Sequence, residues 1–300
     1  MTTVAVHRVP GRLGRFTLRT FRPQIYVTYG VLWVCALEGS AVALTGTSWR
    51  PTGATCVRAV SVVLVLLFLR MLDEQKDLEY DRVHHPERPL VTGAISAAEL
   101  RGAMAVLAVV AAGLNAALSA TAVLLVLAAF AHGLLAALLE RVSAAVRDRQ
   151  LLNLAVVCPV QVLLGCYVYG STAAAGTVTA DWRGAVLIVL CVCVFLHFEF
   201  ARKTAWEAPP GARLYSADLG TGPSVLIVMG LVAGAVACQI VLFAADGGSL
   251  WPLSCLPAVL PLWGARRFST ARRGGWPLLP ATGFVLGTHL ALALQAVALR

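Results

Sequence analysis

Lysine is nearly missing from this 300-residue chain: Lys76 and Lys203 are the only two, and arginine supplies every other fixed positive charge. Charge of either sign is scarce, at 13% of residues against about 25% in an ordinary soluble protein. With 59% of residues apolar, that shortage excludes a soluble globular domain. No Gly-x-x-x-x-Gly-Lys run is present, which excludes a P-loop. The acidic residues lack the alternate-position ligands and central glycine of an EF-hand. Cys191-x-Cys193 has the wrong spacing for a zinc or redox pair, and all eight cysteines lie in or beside apolar stretches, where a free thiol packs as a small hydrophobe. Basic residues are dispersed over loops instead of gathered on one face with aromatics between them, as nucleic-acid binding would require. There is no low-complexity region, no clear repeat and no soluble second domain.

What is present is a series of nine apolar stretches, at 25–45, 57–72, 102–118, 122–139, 151–170, 184–198, 224–244, 250–263 and 278–299. Several approach the ~20 residues needed to cross a hydrocarbon core. With the N-terminus cytoplasmic, only Arg50, Arg58, Arg183 and Arg300 of the 24 basic side chains fall outside. The positive-inside rule then gives N-in and C-out, and the net charge of +9 becomes a topology signal. Residues 1–24 form a basic cytoplasmic segment with five arginines and no acid. The apolar run after it is too long for a signal peptide and lacks a small-residue cleavage site, so it reads as a retained first span; residues 25–300 form a single transmembrane domain. Trp182, Trp251, Trp263 and Trp276 near span ends fit interfacial anchoring. Glu38 lies inside the first span, where it is either functional or a carboxyl bonded to a neighbouring helix.

The densest charge lies between Arg70 and Gly93, where Asp73, Glu74, Asp77, Glu79, Asp81 and Glu87 fall within fifteen positions. Asp73, Asp77 and Asp81 are four residues apart; on an α-helix each lands about 40° from the last, so all three share one face. Like charges at that spacing repel. A cation relieves the repulsion, and hard oxygen ligands of this kind suit Mg²⁺, which binds through one or two carboxylates and completes its shell with water and phosphate oxygens. On composition alone the same run also fits a charged, solvated loop.

Asp73-x-x-x-Asp77-x-x-x-Asp81, followed by Arg88-Pro89-Leu90 and Gly93-Ala94-Ile95-Ser96, resembles the first aspartate-rich motif of the UbiA superfamily of intramembrane prenyltransferases. That family usually shows Asn-x-x-x-Asp-x-x-x-Asp; Asp73 stands at the Asn position. Arg22-Pro23 resembles the start of the family's first helix. The run from His197 to Lys203, continued by Tyr215-Ser216-Ala217-Asp218-Leu219-Gly220, resembles the second motif with a departure: where the family has Asp-x-x-x-Asp, this chain has Glu199 and Lys203.

The resemblance implies an all-α, polytopic membrane bundle of about nine transmembrane helices around a central cavity, with cytoplasmic cap loops. It implies Mg²⁺ held by Asp73, Asp77, Asp81 and Glu199. Arg70, Lys76, Arg88, Arg202, Lys203 and Tyr215 would contact a polyprenyl diphosphate, with Asp73, Asp77, Asp81 and Lys203 as the catalytic set. Each of the two lysines falls in one motif, which favours direct contact of Lys203, with Arg202, to phosphate oxygens. Phe195, Phe198, Phe200 and Tyr215 are candidates to steady an allylic cation. The expected function is transfer of a prenyl group to an aromatic or other small hydrophobic acceptor in a bacterial plasma membrane, within terpenoid secondary metabolism. Two alternatives stay open: a UbiA-type terpene cyclase, and a non-catalytic lipid-binding or transport relative, the latter weakened by the absence of paired broken helices with charged midplane residues.

Overall fold

The computed structural model describes residues 9–207, 212–244 and 251–298. The first eight residues of the basic segment, Arg8 and Arg300 of the charge tally, and residue 250 of the eighth apolar stretch lie outside the described residues. Among the described residues every regular element is helical, apart from one isolated bridge between Ala205 and Gly275.

Eight helices are long and apolar enough to cross a membrane: α1 (Pro23–Ala43), α2 (Gly53–Lys76), α3 (Ala97–Ala116), α4 (Ala120–Val142), α5 (Gln150–Ala174), α6 (Trp182–Arg202), α7 (Thr221–Phe243) and, last in the chain, α9 (Leu278–Ala298). The stretch expected at 250–263 differs. It is a broken segment of Trp251–Ser254, a 3₁₀ turn at Leu256–Ala258 and the 13-residue helix α8 (Val259–Ala271). Pro252 and Pro257 remove backbone donors and interrupt it, while Pro261 falls in the first turn of α8, where its missing N–H is tolerated. All three pieces run along α9.

Local sequence signals set the helix starts. Thr52 and Ser96 cap α2 and α3 in reciprocal capping boxes, the second with Glu99. Ser119 and Asp181 cap α4 and α6, and Pro23 opens α1, where a missing N–H costs nothing. Each capped donor is one fewer unsatisfied group at a helix end.

Each helix packs against the next in sequence, and α9 returns to α1, so the nine form a closed ring; α6 also touches α1 and α9. Small residues permit close approach where helices have no hydrophobic drive to associate. At Gly184 an added Cβ would sit 2.2 Å from the Tyr169 ring, so only glycine lets α6 lie against α5 there. The outside is apolar, with Val109, Leu124, Leu226 and Leu279 exposed. Such a surface, with its backbone satisfied inside helices, is built for hydrocarbon, and the protein is an integral, multi-pass membrane protein.

Two expectations about charge and aromatics are corrected. Arg58, counted as an outside charge, is buried and pairs with Glu38 (Nη1 to Oε2, 3.1 Å), while its Nε donates to Ser171 Oγ at 2.8 Å. Glu38 also accepts from Thr55 and Trp49, so the intramembrane acid serves a fully bonded knot near the start of α2. Trp182 and Trp263 are exposed as anchors would be, but Trp276 is buried against Phe268; the side chain of Trp251 is outside the described set.

Breaking a buried ion pair costs about 3–5 kcal/mol, because the remaining charge is left without a partner. Arg58→Met is therefore expected to lower stability by about that amount in thermal unfolding followed by circular dichroism in detergent. The double variant Glu38→Gln with Arg58→Met should recover part of the loss.

Candidate active site

The C-terminal ends of α2, α4 and α6 meet at one end of the ring, capped by the first segment, 77–96, and by a second made of residues 203–207 and 212–220. Lys76 ties two of these ends together, its Nζ lying 3.2 Å from Asp73 Oδ1 and 3.0 Å from Glu140 Oε1. At Asp77 the α2 helix ends and a short helix, Leu78–His84, restarts. The backbone bonds Asp77 N to Asp73 O (3.0 Å) and Asp81 N to Asp77 O (2.8 Å) carry the four-residue register through the break.

The three aspartates keep that register yet do not gather on one point. Asp73 is 45% exposed beside Lys76. Asp77 accepts from Arg213 Nη1 at 3.3 Å, a contact that joins the first segment to the second; burial raises its carboxyl above the ordinary 3.8. Asp81 is buried against Arg88, which also reaches Glu74 at 3.2 Å, and Arg70 binds Glu74 from the preceding turn. The expected repulsion is thus relieved by a separate protein cation at each aspartate. Glu74, Glu140 and Arg213 escaped the sequence reading. Only Arg70-x-x-x-Glu74, a four-residue helical pair, carried a local signal.

The second segment forms a tighter knot. Arg202 grips Glu199 with two donors, Nε to Oε2 at 2.6 Å and Nη2 to Oε1 at 2.8 Å. Lys203 Nζ lies 3.1 Å from Glu199 Oε1, and the Tyr215 hydroxyl donates to the same oxygen at 3.0 Å. Lys203 also sits 4.7 Å above the Tyr215 ring. Burial, then the neighbouring Glu199, raises the Tyr215 phenol, so it stays protonated and donating; burial lowers the Lys203 ammonium from its ordinary 10.5. The Lys203 carbonyl accepts from the Tyr215 N–H at 2.9 Å, pinning the short helix Tyr215–Leu219 to the end of α6. Backbone bonds from Trp206 N to Gly274 O and from Trp276 N to Thr204 O, both 2.9 Å, fasten the α8–α9 connection to the same cap. Of the candidate aromatics, Phe200 and Tyr215 meet at a tilt of 40° with centroids 4.6 Å apart, and Phe198 packs into the apolar core.

No family model matches the sequence, and no curated protein is similar to it. Solved structures are similar. The chain superposes on the apo form of a UbiA homologue from Aeropyrum pernix K1 with a TM-score of 0.63 and 19% identity, over 88% of this chain and 96% of that one. A digeranylgeranylglyceryl phosphate synthase gives 0.64 and 14%, over 96% and 99%. A UbiA homologue from Archaeoglobus fulgidus bound to GPP and Mg²⁺ gives 0.63 and 18%, over 94% and 99%.

The fold is that of the UbiA homologues.

On this UbiA fold the cap accommodates a divalent cation on one side only. Among the described residues no group of three or more His, Cys, Asp or Glu side chains stands ready to hold a metal. Mg²⁺ needs only one or two carboxylates when phosphate and water complete its octahedron. Asp73 and Asp77 each engage their protein partner through one oxygen, Oδ1, and Glu74 Oε2 is buried without a partner, so the first segment fits. The second does not. Glu199, expected as a fourth ligand, has its oxygens taken by four donor contacts, and Lys203 replaces the family's second aspartate with a cation. Arg202, expected on phosphate, spends both of these donors on Glu199.

Arg88 compensates two carboxylates whose side chains are 0% and 2% exposed. Arg88→Met is expected to cost about 3–5 kcal/mol and to lower the melting temperature clearly. Arg82→Met, which breaks an exposed pair with Glu79, should leave the melting temperature within error, since such pairs contribute little.

Proposed function

We propose that the protein is a UbiA-superfamily prenyltransferase, which transfers the prenyl group of a polyprenyl diphosphate to a small hydrophobic acceptor, aromatic or otherwise, and releases diphosphate. The observation that carries this reading is the Asp77–Arg213 pair, which closes the acidic first segment against the segment that carries Arg202 and Lys203, at one end of an apolar ring. A charged lid on a dry bundle matches a ligand with a charged head and a hydrocarbon tail. The charge tally orients the cap to the cytoplasm, with the N-terminus on that side and the C-terminus opposite, in a bacterial plasma membrane.

Asp73 and Asp77 hold Mg²⁺ in this reading, with Asp81 fixed behind them by Arg88. When bound, the ion polarises phosphoryl oxygens, an effect worth several kcal/mol at the transition state. Arg70, Lys76 and Arg88 brace the first segment. Glu199 serves as a counter-ion that seats Arg202 and Lys203, and the second segment therefore offers fixed positive charge where the motif it resembles has a second aspartate. Lys203, backed by Tyr215, contacts the diphosphate. Apolar helices below exclude water from the allylic cation, and the neighbouring rings of Phe200 and Tyr215 offer π-density to developing positive charge.

Membranes containing the protein, given Mg²⁺ and labelled prenyl diphosphates, are expected to release diphosphate only when an acceptor is supplied. Acceptor-independent release with a hydrocarbon product would replace the transferase by a cyclase, and no release with any donor would reject the reading. Asp77→Ala should cut turnover about a hundredfold or more, each ~1.4 kcal/mol being a factor of ten. Because burial lowers the Lys203 ammonium, the charge is lost as pH rises, before an ordinary lysine would lose it. The donor KM should thus climb on the alkaline side below pH 10.5, the ordinary lysine value, and Lys203→Arg, which keeps its charge, should abolish that climb.

A further inference from the structure

Inside the ring, Tyr29 of α1 and His289 of α9 meet edge to face, with ring centroids 5.8 Å apart. His289 is fully buried. The Tyr29 hydroxyl is sealed from solvent, and neither it nor a ring nitrogen of His289 meets hydrogen-bonding geometry with any partner; the hydroxyl of Thr288 has none either. The Val285 carbonyl, one turn back, is near enough to influence His289, but it can engage only one of the two nitrogens. Each buried group left without a partner costs about 1–3 kcal/mol.

Single buried atoms elsewhere, such as Ser40 Oγ and Gln295 Oε1, also lack a partner, but Tyr29 and His289 bring theirs together at one ring contact, whereas other interior polar groups are tied to each other. Asn115 is bonded to Ser61 and Tyr167, both at 2.7 Å, and Arg58 is shared between Glu38 and Ser171. Phenylalanine at 29 and leucine at 289 would fill the same space without the penalty. Position is informative as well. Both α1 and α9 begin at the capped end, and at 1.5 Å per residue Tyr29 lies ~9 Å and His289 ~17 Å below those starts. The pair is therefore beneath the charged cap, on the hydrocarbon side of it, with the Trp33 ring stacked parallel to Tyr29.

We propose that Tyr29 and His289 form a polar recognition point for a hydroxyl group on the acceptor, an inference that rests on the prenyltransferase reading. The phenol donates to the acceptor oxygen, and an open imidazole nitrogen accepts the acceptor's O–H. A prenyl tail has no group that could satisfy either, so the point serves the acceptor and not the donor.

The test uses the purified full-length protein in detergent with two probes of nearly the same shape, 1-naphthol and naphthalene. The wild type should bind 1-naphthol at least about tenfold more tightly, equivalent to ~1.4 kcal/mol. In Tyr29→Phe and in His289→Leu that preference should fall towards unity, while His289→Gln, which keeps a donor and an acceptor, should retain it; melting temperatures show which variants are folded. A preference absent from the wild type, unchanged in Tyr29→Phe, or lost together with an equal loss of geranyl diphosphate binding would overturn the proposal. Failure of the transferase reading is separate: the wild type would then release no diphosphate with any acceptor, whatever its preference for naphthol.

Discussion

Among the described residues every buried carboxylate is paired with a basic side chain, and the architecture follows from that constraint. An ion taken from water into a low-dielectric interior loses several kcal/mol of solvation unless a partner and hydrogen bonds replace it. The chain concentrates its carboxylates at one end of the helical ring and gives each buried one a basic neighbour: Asp81 and Glu74 share Arg88, Glu199 takes Arg202 and Lys203, and Glu140 takes Lys76. The single deep exception, Glu38, is matched by Arg58 and three hydroxyl or indole groups around the pair. These links do more than neutralise. Lys76 joins α2 to α4, Arg213 joins the first segment to the second, and together they hold the lid of the ring in one piece.

The two halves of that lid have different chemistry. The first is acidic, with Asp73 and Asp77 at the rim, and suits a hard cation. The second sets Arg202 and Lys203 against the single carboxylate of Glu199, so that this knot has one cation in excess. A diphosphate head between them would meet a metal on one side and fixed ammonium and guanidinium charge on the other. The solved UbiA homologue bound to GPP and Mg²⁺ shares the fold at 18% identity, and the replacement of an aspartate by Lys203 is where this chain departs from the motif that its sequence otherwise resembles.

Below the lid, apart from the Glu38–Arg58 pair, the interior is held by apolar packing and by neutral polar contacts. Asn115 and Tyr167 satisfy each other across α3 and α5. Tyr29 and His289 leave their polar atoms open at a shared ring contact, the point proposed to meet a hydroxyl of the acceptor.

Hydropathy, capping residues and charge asymmetry made the membrane class, the helical fold and nearly every helix legible from the sequence, because each is a local property: an apolar run of sufficient length has no other stable form in lipid. The four-residue spacing of Asp73, Asp77 and Asp81 likewise survived into the backbone. Tertiary structure decided the partners. Nothing local announces that Arg213 reaches Asp77 across 136 residues, that Arg58 turns inward to Glu38, or that Glu199 is enclosed by its own neighbours. Trp276 went to the core for the same kind of reason, since that depends on what Phe268 offers nearby; the break between 251 and 263 follows instead from Pro252 and Pro257, a local signal. Pairing energy depends on distance and desolvation, and those exist only once the ring has closed.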